Sequence, residues 1–178
     1  VEDGRVRVAR YWELPLDGEV RYRRAGDYAE RFRELFGAAV ADRTREGAAG
    51  VMMSGGRDST AIAAAAVERG RVGGLRAFTM VYERLMPDRE GEFAKMAADA
   101  LGIPQELHPV DGYGVLHRWD DPLLRRPEPT DASPLAAGEA DFYLRMARHA
   151  PVALTGQGAD AVLAESRSRL VELARRGR

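Results

Sequence analysis

The sequence predicts an α/β fold: a three-layer α/β/α arrangement around a doubly wound parallel sheet in strand order 3-2-1-4. Three observations lead there. Short apolar runs alternate with helix-like segments, the pattern of βαβ units and of a parallel sheet covered on both faces. Two of those runs end in glycine-rich turns, Ser54-Gly55-Gly56-Arg57-Asp58-Ser59 and Thr155-Gly156-Gln157-Gly158-Ala159-Asp160, each followed by a helix-like segment. The 178 residues are 45% hydrophobic and 31% charged, which is the balance of a folded chain with one core.

Residues 1–26 mix Arg with Gly and Pro15 and show no sustained period, so they read as an irregular lead-in to a domain over 27–178. From Asp27, a candidate N-cap, Tyr28, Phe32, Leu35, Phe36, Ala39 and Val40 recur at three- and four-residue spacing, which predicts a helix to about residue 45. Residues 49–53 form the first strand, 54–59 the first glycine-rich turn, and an alanine-rich helix continues to about 69. A second strand spans 75–82. A helix over 90–101 stops at Gly102, in the position after a helix end that favours glycine. The third strand covers 105–110, and a Pro- and Asp-rich stretch fills 111–131. Ser133-Pro134 then opens a helix as N-cap and first residue, with Tyr143, Met146 and Ala147 on its buried face. Residues 151–154 form the fourth strand, 155–160 the second turn, and a last helix runs to Arg178. With no strand after it, any fifth strand is expected outside this sequence. There is no internal repeat.

The sequence has no cysteine, so disulfides, thiolate metal sites and a cysteine nucleophile are excluded in this chain. The 27 basic residues, of which Lys95 is the only lysine, are balanced by 28 acidic ones to a net charge of -1. That balance argues against nucleic acid as a partner. No apolar run approaches the roughly 18 residues of a membrane span, and the N-terminus lacks a secretory pattern, so no membrane partner and a cytoplasmic location are expected. His108, His117 and His149 show no metal-ligand spacing.

A glycine-rich turn between a strand and a helix directs backbone N–H groups and the positive helix end at one point, where phosphate is the usual occupant. The first turn has neither GxxxxGK[ST] nor GxGxxG spacing and instead matches SGGxDS. Adjacent glycines permit close backbone approach, and Ser54 and Ser59 add hydroxyl donors. Asp58 repels phosphate, so its sensible role is to hold a bridging Mg²⁺; in an ordinary tight turn it would be a helix N-cap instead. In a doubly wound sheet the fourth strand lies beside the first, at the switch point where ligands bind. Both turns then meet across that crevice, each giving one carboxylate, Asp58 and Asp160.

On these residues the chain resembles the synthetase domain of the asparagine synthetase family, of the adenine nucleotide alpha hydrolase-like (PP-loop ATP pyrophosphatase) fold, with β-lactam synthetases and lasso peptide cyclases as relatives. Supporting matches are Tyr11-Trp12, Glu90 with Phe93-Ala94 as E-x-x-[YF]-A, Glu128-Pro129, and 155–160 as [ST]-G-x-G-[AS]-D. The resemblance implies ATP and Mg²⁺ as cofactors. It implies pyrophosphate binding by Ser54, Gly55, Gly56, Asp58, Ser59 and Gly156, adenine flanked by Met53 and Met80, metal on Asp58 and Asp160, and Gln157 facing the α-phosphate or substrate. The plainer readings stand beside these: Tyr11-Trp12 and both methionines as packing residues, and Glu90 as a favourable charge in a helix first turn.

The implied reaction adenylates a carboxylate such as aspartate, releases pyrophosphate and forms an amide with an amine or ammonia. A lasso peptide or β-lactam cyclase, and a nucleotide-binding piece without catalysis, remain open alternatives. The sequence departs from the family after Asp160, where Ala161-Val162-Leu163 replaces its acidic continuation. The family's catalytic lysine and its carboxylate partners are expected beyond Arg178, and the resemblance implies a separate glutaminase or C-terminal partner.

Overall fold

A computed structural model describes residues 8–13, 20–44, 47–69, 74–125 and 133–163. The chain forms two compact units, Val1–Glu34 and Leu35–Arg178. In the first, residues 8–13 and 20–24 are irregular, and the Tyr22 and Tyr28 rings meet edge to face at 4.8 Å. Tyr11 and Trp12 are exposed in this unit.

Helix α1, Ala25–Arg43, begins two residues before Asp27. Asp27 is therefore not the N-cap; it sits in the first turn and accepts a hydrogen bond from the Arg24 backbone N–H at 3.4 Å. The helix buries Gly37 and Val40 and packs Phe36 on the core, while Tyr28 and Leu35 stay exposed, a narrower buried face than the periodicity suggests.

Strands β1 (Ala49–Met52), β2 (Leu75–Val81), β3 (Gln105–Pro109) and β4 (Val152–Leu154) form one parallel sheet in the order β3-β2-β1-β4. Side chains alternate between its faces, as strand geometry requires. Val51, Met53 and Ala77 enter one core with Val40 of α1, Ala63 and Ala66 of α2 (Arg57–Glu68), and Ala94 and Ala98 of α3 (Glu90–Leu101). Met52, Phe78 and Met80 enter the other with Phe142 and Met146 of α4 (Ala136–His149). The sheet is thus sandwiched, with α1, α2 and α3 against one face and α4 against the other. Alanines at the α2 and α3 contacts let those helices approach the strands closely, and the α4 side is filled by large side chains, with Phe78 and Phe142 in T-shaped contact at 6.5 Å.

Two expected helix details change. Leu135, not Ser133, is the N-cap of α4; the Ser133 carbonyl and hydroxyl hold the preceding turn by accepting from Ala136 and Leu135 N–H. The buried face of α4 is Ala137, Gly138, Phe142 and Met146, leaving Tyr143 and Ala147 outside it. Gly102 ends α3 at φ +67°, as expected. The last described helix, α5, is Ala159–Leu163, and both the remainder of the expected C-terminal helix and Glu128-Pro129 lie outside the described residues. Among the described residues no helix is long and apolar enough to cross a membrane.

Candidate functional site

The carboxyl ends of β1 and β4 open into a cleft of about 530 Å³. Its floor is the 54–59 turn. Ser59, nearly buried, ties this turn together: its hydroxyl accepts from the Ser54 N–H at 3.3 Å and donates to the Gly56 carbonyl at 3.4 Å. The exposed Ser54 hydroxyl accepts from the Gly56 N–H at 3.4 Å. Gly55 adopts φ +74°, and a Cβ there would stand 2.5 Å from Phe93 Cβ and 2.6 Å from Ala94 N. The Phe93-Ala94 element is thereby explained: α3 runs so close behind the turn that only glycine fits between them.

Helix α2 starts from this turn with Gly56 as N-cap and no side-chain cap. Asp58 is therefore not the cap that the plainer reading required; it lies in the first turn, and the first-turn N–H groups remain available at the positive end of the helix.

The 155–160 turn forms the opposite wall and touches the first. A Cβ on Gly156 would lie 3.1 Å from Asp58 Cβ and 3.2 Å from Ser59 N, so glycine here sets how closely the walls meet. Gly158 has φ +86°, and the Gly156 carbonyl accepts from Ala159 N–H at the start of α5.

Ser54, Gly56, Asp58, Ser59, Met80, Gly156, Gln157 and Asp160 all line the cleft. Gly55 does not, because it faces α3. Met53 does not either: it is buried on the α2–α3 side of the sheet. Strand alternation puts Met52, its neighbour, on the same face as Met80, and Met52 lines the cleft. Sequence reasoning also missed Glu139 and Tyr143, which α4 brings to the wall. The spacing of Glu139, Tyr143 and Met146 along one helix was the available signal.

A second, mostly apolar cavity of about 220 Å³ adjoins the cleft and shares Met80 and Glu139 with it. Carboxylates fix the segments next to its lining residues Tyr82, Glu90 and Val110. Asp111 accepts from the backbone N–H groups of Glu83, Arg84 and Leu85 at 2.7 to 2.9 Å, and these bonds hold its carboxyl below the ordinary carboxylate range. Asp88 accepts from Tyr82 and Glu90 N–H, pinning the segment between β2 and α3. Glu90 lines this cavity at the start of α3, and burial, then the nearby Asp88 charge, push its carboxyl up. Tyr113, also on the cavity wall, donates to Asp141 at 2.7 Å, and Arg118 donates to the same carboxylate at 2.8 Å.

The donor set of the cleft suits one small divalent cation bound with phosphates. Asp58 and Asp160 come from adjoining turns, and one or two carboxylates are what Mg²⁺ ordinarily takes from protein when phosphate oxygens and water complete its shell. Among the described residues there is no cluster of three or more His, Cys, Asp or Glu that would cage a metal by itself.

Residues 31–177 match the family model described as asparagine synthase. No curated protein matches the chain. The solved structures similar to it include an NH3-dependent NAD synthetase from Campylobacter jejuni subsp. jejuni NCTC 11168 in complex with the nitrate ion. That match has TM-score 0.49 and 16% identity and covers 77% of this chain, which spans 60% of the length of that protein.

Proposed function

The chain belongs to the asparagine synthase family, ATP-using ligases that form amides, and from that premise we propose that it binds Mg-ATP across the two turns and adenylates a carboxylate. The observation that carries this reading is the contact between the turns at Gly156 and Asp58, which gathers an uncapped helix N-terminus and two carboxylates into one cleft.

In the proposed step, a carboxylate oxygen of an acid such as aspartate attacks the α-phosphorus. The bond from that phosphorus to the bridging oxygen breaks, its electron pair leaves with pyrophosphate, and no proton moves. The first-turn N–H groups of α2 and the Ser54 hydroxyl bind the departing pyrophosphate, where preorganised donors act on charge that grows during the reaction. Ser59 holds the turn in shape from within. Asp58 and Asp160 would hold Mg²⁺, which when bound supplies positive charge to the phosphates. Met52 and Met80, which both line the cleft, offer its apolar side to adenine, Met52 taking the place proposed for the buried Met53. Gln157 lies on the wall toward the α-phosphate and the acid. Ammonia or an amine then attacks the acyl carbon, the carbon–oxygen bond to AMP breaks, and the amine loses a proton. A separate glutaminase is the proposed ammonia source, and the cytoplasm, where ATP is made and used, the proposed location.

A second reading, nucleotide binding without turnover by this chain, is favoured by the position of Lys95. The only lysine pairs with Asp99 at 2.8 Å on the exposed face of α3 and does not line the cleft.

The test is calorimetric titration of the purified chain with Mg-ATP and Mg-GTP, followed by pyrophosphate release in the presence of aspartate. Saturable binding of Mg-ATP is expected, stronger than that of Mg-GTP. Failure to bind either nucleotide would remove the proposal, and binding without acid-dependent pyrophosphate would leave the second reading.

A further inference from the structure

We infer that Arg57, at the variable position of the first turn, is the cation that reads the β- and γ-phosphates and steadies the departing pyrophosphate. The inference rests on the nucleotide reading above and assigns one more group of that site.

Three carboxylates, Asp58, Glu139 and Asp160, line the cleft, and among the described lining residues Arg57 is the one cation. A polyphosphate entering such a cleft meets repulsion that a helix N-terminus alone does not offset, since that end acts as only about half a positive charge. The metal answers part of this charge; a fixed guanidinium beside the turn answers more. Arg57 is the first residue of α2, between the N-cap Gly56 and Asp58, so its backbone is part of the phosphate-facing turn and its side chain is exposed at the cleft.

The guanidinium is also uncommitted. Arg76 and Arg145 both bind Glu106, and Arg118 binds Asp141, whereas Arg57 has no ion-pair or hydrogen-bond partner among the described residues. A free planar fork of N–H donors matches the paired oxygens of a phosphate. When the bridging bond breaks, the electron pair stays on pyrophosphate, so negative charge grows on the group this arginine faces. No proton passes through Arg57, which keeps its charge throughout.

The test compares Arg57→Leu and Arg57→Lys with the parent chain, titrating Mg-ATP, Mg-pyrophosphate and AMP. Because Arg57 is exposed, melting temperatures within a few degrees of the parent are expected for both variants. Arg57→Leu is expected to weaken Mg-ATP and Mg-pyrophosphate about 10- to 100-fold, the range for a lost charged hydrogen bond, while AMP changes less than about twofold. Arg57→Lys, which keeps the charge without the fork, is expected to fall between. Equal losses for AMP and ATP would overturn the assignment to the outer phosphates. Unchanged Mg-ATP affinity in Arg57→Leu would overturn the inference while leaving the nucleotide reading intact; a parent chain that binds no nucleotide would remove both.

Discussion

Replacing Gly55 by alanine tests whether the first turn is shaped by the helix behind it. Two separate penalties apply. At φ +74° a residue with a Cβ carries a left-handed penalty of about 1–2 kcal/mol. The new Cβ would also stand 2.5 Å from Phe93 Cβ, 2.6 Å from Ala94 N and 2.7 Å from Phe93 C. None of these is the end of a flexible side chain, and Ala94 is fully buried, so α3 must shift, an overpacking cost of about 1–3 kcal/mol. The total, about 2–5 kcal/mol, is a large share of the 5–15 kcal/mol that holds a typical domain together. Gly102→Ala supplies the control: its φ is +67°, but nothing lies within 4 Å of the added carbon, so only the backbone penalty applies. Urea unfolding of both variants is the assay, and Gly55→Ala should exceed Gly102→Ala by about 1–3 kcal/mol. Equal losses would refute the claim that α3 dictates glycine at this position.

Other outcomes follow from the same geometry. Gly156→Ala should be milder in stability than Gly55→Ala, about 1–2 kcal/mol, because its closest contacts are 3.1 and 3.2 Å, and it should weaken Mg-ATP binding in titration, because its contacts are with Asp58 and Ser59 of the facing turn. Phe142→Ala, at the centre of the α4 core, should cost about 3–5 kcal/mol in urea unfolding. His108 is nearly buried among aromatic rings, and burial, then the charge of Arg145, hold its pKa below the ordinary 6.5. The unfolded chain therefore binds the proton more readily: the stability that neutral His108 contributes is full above pH 6.5 and is lost as pH falls through the lower folded-state value. Unfolding curves at pH 7.5 and 5 should show that loss, and His108→Phe should reduce it. Asp141, held low chiefly by the Arg118 hydrogen bond, acts further down: its contribution is present above about pH 3.8 and disappears as pH falls through the folded-state value, an acid limb that Arg118→Ala should flatten. With no cysteine to form a thioester, this chain given aspartate, Mg-ATP and glutamine should yield no asparagine, as product chromatography would show.

The parallel sheet and both turns were legible because their signals are local. Apolar runs, glycine pairs and the helix stop at Gly102 depend on neighbouring residues, and the strand order followed from the doubly wound arrangement, which sets the fourth strand beside the first. Side-chain direction was harder. Met52 and Met53 are equally apolar, and only the alternation fixed by Val51 and the register with Phe78 decides that Met53 points to α2 and α3. The role of Phe93-Ala94 was hidden because it depends on a helix passing behind Gly55, a contact between residues far apart in the chain. Asp111 looked like one more polar residue in a Pro- and Asp-rich stretch; its three backbone partners lie 26 to 28 positions earlier. Caps were misread at Asp27 and Ser133 because both residues hold a neighbouring turn by hydrogen bonds that do not occupy the cap position.

The central claim is that the two turns form one Mg-ATP site, and a double-mutant cycle on Asp58 and Asp160 tests it most directly. Mg-ATP affinity is measured by calorimetry for the parent chain, Asp58→Asn, Asp160→Asn and the double variant, each with Mg²⁺ and with chelator. If both carboxylates hold one metal, either single change removes the Mg²⁺-dependent part of binding, and the double variant loses little more than either alone. Losses that add in full, or a parent chain whose ATP affinity is the same with and without Mg²⁺, would contradict the shared site.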